Sequence, residues 1–137
     1  MCSSDLEISK EMPKPPASAG SDDATNRGLH LYNIHCLRCH GAGLQSGGVI
    51  ADLRYMSEGS HELFQQIVRG GLFESLGMIS FADVLTEKDA EDIHHYIIAT
   101  ANRDWAAAQS SDWWQSIRNW SYDKAAVLLE WLMAPGS

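Results

Sequence analysis

Apolar positions recur at helical spacing through the middle of the chain, and no stretch alternates as a half-buried strand would. Across residues 22–40, Gly28, Leu31, Tyr32 and His35 share one helical stripe, which predicts a first helix stopped by Gly41. A glycine on that stripe permits close approach by a second helix. Residues 41–57 are glycine-rich and aperiodic, and read as loop. A second helix is expected from about Ser60, with Leu63, Phe64, Ile67 and Val68 inward, ended by Gly70-Gly71. Residues 72–85 are irregular. Thr86-Glu87-Lys88-Asp89 then matches a capping box and opens a third helix with Ile93, Tyr96, Ile97 and Thr100 inward. The fold class that follows is all-α, a small helical domain over 22–104.

The flanks differ from this domain. Residues 1–21 contain Met12-Pro13-Lys14-Pro15-Pro16-Ala17-Ser18 and read as an extended Pro-rich linker or tail. Residues 105–137 read as a Trp-rich helical extension, since Trp113, Ile117 and Trp120, and later Leu128, Trp131 and Leu132, have helical spacing. Its aromatic face suits either a docking helix or a cover for the core or an adjoining domain. Asp112, Asp123 and Glu130 weigh against an anionic membrane surface.

Composition narrows the function classes. A 45% hydrophobic chain of 137 residues supports one packed domain. The formal net charge of −8 argues against nucleic acid and is compatible with a cationic redox partner or with solubility alone. No window approaches eighteen uninterrupted apolar residues; the best, 125–134, is short and broken by Glu130, so no transmembrane segment is expected.

The chemistry concentrates in Cys36-Leu37-Arg38-Cys39-His40. C-x-x-C-H is the attachment signature of c-type haem: two thiols form thioethers to one porphyrin, and the following histidine is carried to the iron. A redox C-x-x-C belongs beside a β-α-β pattern, which is missing here. A structural zinc site needs four ligands, and the remaining cysteine, Cys2, lies in the polar tail. One covalent haem is therefore expected, with His40 as an iron ligand.

The other axial position separates an electron carrier from a five-coordinate haem enzyme or gas sensor. Met78 is the preferred ligand, in a loop after the second helix where Gly77 lets the backbone approach a flat ring. Met56 is the competing methionine. His61, His94 and His95 are alternatives for a bis-histidine iron, although neighbouring His94 and His95 cannot both face one metal from a helix.

Residues 28–101 resemble class I-type cytochromes c, through Gly28 and Tyr32, the run from Cys36 to Gly41, Gly77-Met78 and Tyr96. They are more closely similar to the C-terminal cytochrome domain of PQQ-dependent quinohaemoprotein alcohol dehydrogenases. That similarity rests on Ser46-Gly47-Gly48-Val49, on Asp52-Leu53-Arg54, and on Gly77-Met78-Ile79-Ser80-Phe81-Ala82-Asp83. The resemblance implies that the first and last helices cross near Gly28 and Tyr96, and that Arg54 pairs with a haem propionate. It also implies electrons arriving from reduced PQQ in a preceding β-propeller and leaving to a quinone, a cytochrome or a copper protein. The family usually has a proline before Asp-Leu-Arg, whose carbonyl takes the Nδ1 proton of the axial histidine. Here Ala51 stands there; its carbonyl can serve, in a less rigid loop.

Haem attachment of this type implies a periplasmic setting. The opening Met1-Cys2-Ser3-Ser4-Asp5-Leu6 has neither a basic start nor an apolar run, so the chain reads as a mature form, a free-standing carrier or the end of a longer exported protein.

Overall fold

The computed structural model describes residues 12–133, with side chains up to residue 110 and at Ile117 and Arg118. Among the described residues the elements are α1 (Asp22–His35), α2 (Leu37–His40), α3 (Glu58–Glu62), α4 (Phe64–Val68) and α5 (Glu87–Met133), joined by short 3-10 turns and no strand. The all-α expectation holds among the described residues.

α1 begins where the Ser21 hydroxyl accepts the Ala24 N–H at 3.2 Å, and Asp22 and Asp23 face the positive end of the helix. At its other end Cys36, with φ −114°, interrupts regular geometry. The hydrogen bonding runs on regardless: Cys36 N–H donates to Tyr32 O at 2.8 Å and His40 N–H to Cys36 O at 2.9 Å.

The expected second helix is two shorter ones. It starts earlier, after Ser57, and breaks at Leu63, whose ψ of 11° leaves the α region. Phe64, Ile67 and Val68 are buried as expected, but Leu63 is 40% exposed. The break turns Leu63 away from the side on which its followers pack.

Thr86 and Asp89 form the capping box in both directions. The Thr86 hydroxyl accepts the Asp89 N–H at 3.1 Å, and the Asp89 carboxylate accepts the Thr86 N–H at 2.9 Å. α5 then continues for 47 residues. The helical extension expected from residue 105 is continuous with the third helix: 87–133 contain no glycine or proline, and Ala106-Ala107-Ala108 favour continuing it. The chain divides into compact units Met1–Trp105 and Ala106–Ser137. In the second unit the backbone is helical to Met133, and Ala106–Ser110 are exposed. The side chains of Trp113, Trp114, Trp120 and Trp131 lie outside the described residues.

The first unit is organised by the meeting of α1 and α5. A Cβ at Gly28 would lie 1.9 Å from the Asp92 carbonyl oxygen. One helical turn further along both helices, the rings of Tyr32 and Tyr96 are 5.2 Å apart. Arg27 forks across the crossing to Asp89 and Asp92, and Lys88 reaches Asp92 at 2.6 Å. Burial acts to raise the Asp92 carboxyl, but the bonds from Lys88 and Arg27 outweigh it and hold it below the usual range. Leu44, Leu85, Ala90, Ile93 and Ile97 complete the core.

The Pro-rich segment is non-helical but docked on α5. Pro15 is buried, the Pro16 carbonyl accepts the Asn102 side-chain N–H at 2.7 Å, and the Lys14 ammonium lies 5.8 Å from the Trp105 ring centre.

His94 and His61 join α5 to α3. Their Nε2 and Nδ1 atoms are 2.9 Å apart, and the His94 ring stacks 4.2 Å from Phe64, nearly parallel. Burial, then His61 and His95, push His94 down to about 4. A histidine depressed in the folded state contributes stability that is complete above its unfolded pKa, about 6.5. That contribution is lost as pH falls from there towards 4. The unfolding free energy from urea titrations should therefore decline across this window, by at most about 1.4 kcal/mol per pH unit for His94 alone. His94→Leu should flatten the decline; an unchanged slope would show that this pair does not titrate with unfolding. Asp89 and Asp92, both depressed, act in a separate window, losing their contribution as pH falls below about 3.8.

Candidate haem-binding site

The C-x-x-C-H run ends a helix and turns sharply at Gly41. Gly41 has φ +79°, and a Cβ there would lie 2.1 Å from the Gln45 carbonyl oxygen, so only glycine fits this turn. The fully buried Tyr32 side chain fixes the same residue by donating its O–H to Gly41 O at 2.6 Å. Leu44 follows with φ +69° and no exposed surface; its burial holds a backbone state uncommon outside glycine.

This turn sends the chain back past His40, whose Nδ1 lies 3.0 Å from the Ala51 carbonyl oxygen. A carbonyl only accepts, so Nδ1 carries the proton and donates it. That choice of tautomer leaves the Nε2 lone pair available to a metal and orients the ring. The Ala51 carbonyl thus takes the bond expected of it.

Cys36 is partly buried and Cys39 exposed, and both are free thiols. Burial, and next the adjacent Cys39, push the Cys36 thiol up to about 11, so it remains S–H at neutral pH.

Leu31, Cys36, Leu53, Met56, Met78 and Phe81 are partly buried and pack on one side-chain cluster, the core of Tyr32, Leu44, Phe64 and their neighbours. Both candidate methionines are among them, so the packing brings Met78 and Met56 to the same core as Cys36. The Met78 loop is anchored by several hydrogen bonds. Gly77 adopts φ +96°, Met78 N–H donates to Phe73 O at 3.2 Å, Ser80 Oγ donates to Arg69 O at 2.5 Å, and Phe81 N–H donates to Val68 O at 2.9 Å. The Phe81 ring meets His35 edge-on at 6.1 Å, which ties this loop to the end of α1.

Other candidates are engaged elsewhere. His61 and His94 bond to each other, and the His95 ring packs beside Gly20. Arg54 forks onto Asp52, with contacts of 3.0 and 2.7 Å, and reaches Asp104 on α5 at 3.4 Å. These bonds use three of its five N–H donors. Asp104 lies 50 residues from Arg54, outside any local motif, so nothing in the residue order singles it out.

The donor set fits a c-type haem. It offers two thiols for thioethers, an imidazole held in the ligating tautomer, a thioether in an anchored loop, and apolar side chains from several segments. Haem iron supplies reversible one-electron exchange when bound.

Comparisons with known proteins agree with this chemistry. Residues 23–97 match the family described as "Cytochrome C oxidase, cbb3-type, subunit III". The quinohemoprotein alcohol dehydrogenase ADH-IIG of Pseudomonas putida is 39% identical over 67% of this chain, which spans 13% of that protein. Cytochrome c550 of Pseudomonas aeruginosa is 30% identical over 58% of this chain and 57% of its own length. A solved structure of the ADHIIG enzyme from Pseudomonas putida HK5 superposes with a TM-score of 0.63 at 40% identity, covering 66% of this chain and 13% of that one. The chain thus spans about an eighth of its dehydrogenase relatives. Because the match runs over more than half of the chain, through both cysteines and His40, the protein belongs to the c-type cytochrome family of that cbb3-type description.

Proposed function

We propose that this domain is a one-haem electron carrier, with haem c held covalently by Cys36 and Cys39 and ligated by His40 and Met78. The observation that carries the proposal is the His40 Nδ1 bond to Ala51 O within an intact C-x-x-C-H turn. It orients the ring and puts a proton on Nδ1, so that the neutral imidazole presents Nε2 to a metal. Partly buried apolar side chains around the cysteines favour the ferrous centre of lower charge, and a methionine ligand keeps the iron six-coordinate in both oxidation states.

The similarity to quinohemoprotein alcohol dehydrogenases supports a donor: the PQQ-bearing domain of such an enzyme, working in the periplasm. The acceptor would be a quinone, another cytochrome or a copper protein. No helix among the described residues is long and apolar enough to cross a membrane.

Optical spectroscopy of the pigmented protein tests the ligand set. The oxidised form should show a sulfur-to-iron band that disappears in Met78→Ala and persists in Met56→Ala. Disappearance only in Met56→Ala would transfer the role to Met56. Rapid carbon monoxide binding by the reduced wild type would instead favour the five-coordinate enzyme or sensor.

A further inference from the structure

Asp52, Arg54 and Asp104 form a connection between the loop that holds the axial histidine and the long helix. The Asp52 carboxylate accepts Arg54 backbone N–H at 3.0 Å and both edges of the Arg54 fork, at 3.0 and 2.7 Å. A bidentate fork of this kind constrains direction as well as distance. The third arm reaches Asp104 at 3.4 Å. The three side chains are each only about one-fifth exposed, at 22%, 19% and 21%, so solvent screens the group incompletely. Asp52 directly follows Ala51, the residue whose carbonyl receives the His40 proton.

We infer that Arg54 and Asp104 are positioning residues for His40: the ion-pair group holds the 51–55 turn against α5, and so holds the Ala51 carbonyl in line with Nδ1. Leu53 and Met56 also pack on the core, but apolar contact of that kind does not fix the direction of the Ala51 carbonyl. Ala51 is exposed and its methyl side chain offers no polar anchor, and residues 45–50 before it are mostly exposed. The Asp52–Arg54–Asp104 group is the first polar anchor after that stretch. Asp104 lies at the last turn of the first compact unit, one residue before Trp105. The imidazole is therefore referenced to the helix that also forms the core, rather than to a free loop.

The inference rests on the haem reading for its signal, and the test separates the two. The experiment uses the full haem-loaded chain, reduced, and follows solvent exchange of the His40 Nδ1 proton by NMR, together with the midpoint potential. Arg54→Gln and Asp104→Asn should each speed exchange by about tenfold or more, because opening the turn exposes the same bond. The double variant should add little to either. Asp104→Glu, which keeps the carboxylate, should retain most of the protection. Simple charge effects on the iron would behave differently: removing a cation and removing an anion shift the potential in opposite directions and leave exchange unmoved. Unmoved exchange in Asp104→Asn overturns the positioning role. So does a response confined to Arg54→Gln, which would assign Arg54 to a haem propionate instead. A wild type that carries no covalent pigment overturns the haem reading along with this one, whereas pigment with unaltered exchange overturns this one alone.

Discussion

Gly28→Ala is expected to destabilise the protein by about 3 kcal/mol or more, the upper part of the range for overpacked sites. The added Cβ would sit 1.9 Å from the Asp92 carbonyl oxygen and 2.5 Å from its carbon. Neither atom is the end of a flexible side chain. Both belong to the backbone of α5, so relief requires the two helices to separate. Separation would also pull Tyr32 from Tyr96 and draw Arg27 away from Asp89 and Asp92. Thermal unfolding should register this as a fall in melting temperature of roughly 10 °C or more. Gly59→Ala is the matched control. Nothing lies within 4 Å of a Cβ there, and the residue is helical, so that change should be neutral or stabilising by about 0.5 kcal/mol. Equal midpoints for the Gly28 and Gly59 variants would refute the close crossing.

Replacing Cys36 and Cys39 together by serine should abolish covalent pigment altogether. A serine hydroxyl is too weak a nucleophile to join a vinyl group under the conditions in which a thiol does. His40 and the apolar side chains would remain, and these hold haem only reversibly. The measurement is pigment retained after denaturing electrophoresis, together with the pyridine haemochrome spectrum. Each single replacement should leave one thioether and one unreacted vinyl group, which extends the conjugation and moves the haemochrome band to longer wavelength. Wild-type levels of retained pigment in the double variant would exclude these thiols as the attachment points. Loss of pigment should also lower stability, because Leu31, Leu53, Met56, Met78 and Phe81 pack only in part against protein.

Local features are legible in the residue order itself. The Thr86–Asp89 capping box forms because its partners are three positions apart. Gly41 ends the attachment turn because its φ admits little else. The break at Leu63 is hidden, since an apolar residue at the right spacing looks inward until its backbone torsion turns it out. The continuation of α5 past residue 104 is written in the missing glycine and proline, but the change in composition at Trp105 masks it.

The amino-acid order alone determined the C-x-x-C-H motif, the all-α class and the glycine that lets two helices touch, because each depends on short spacings or on one residue's stereochemistry. Folding in three dimensions decided which groups answer one another across the chain. Asp92 accepts Arg27 from 65 positions away, Asp104 accepts Arg54 from 50, and His61 meets His94 from 33. Such partners come together only when packing closes the intervening loops, so pairing of this kind leaves no local trace in the sequence.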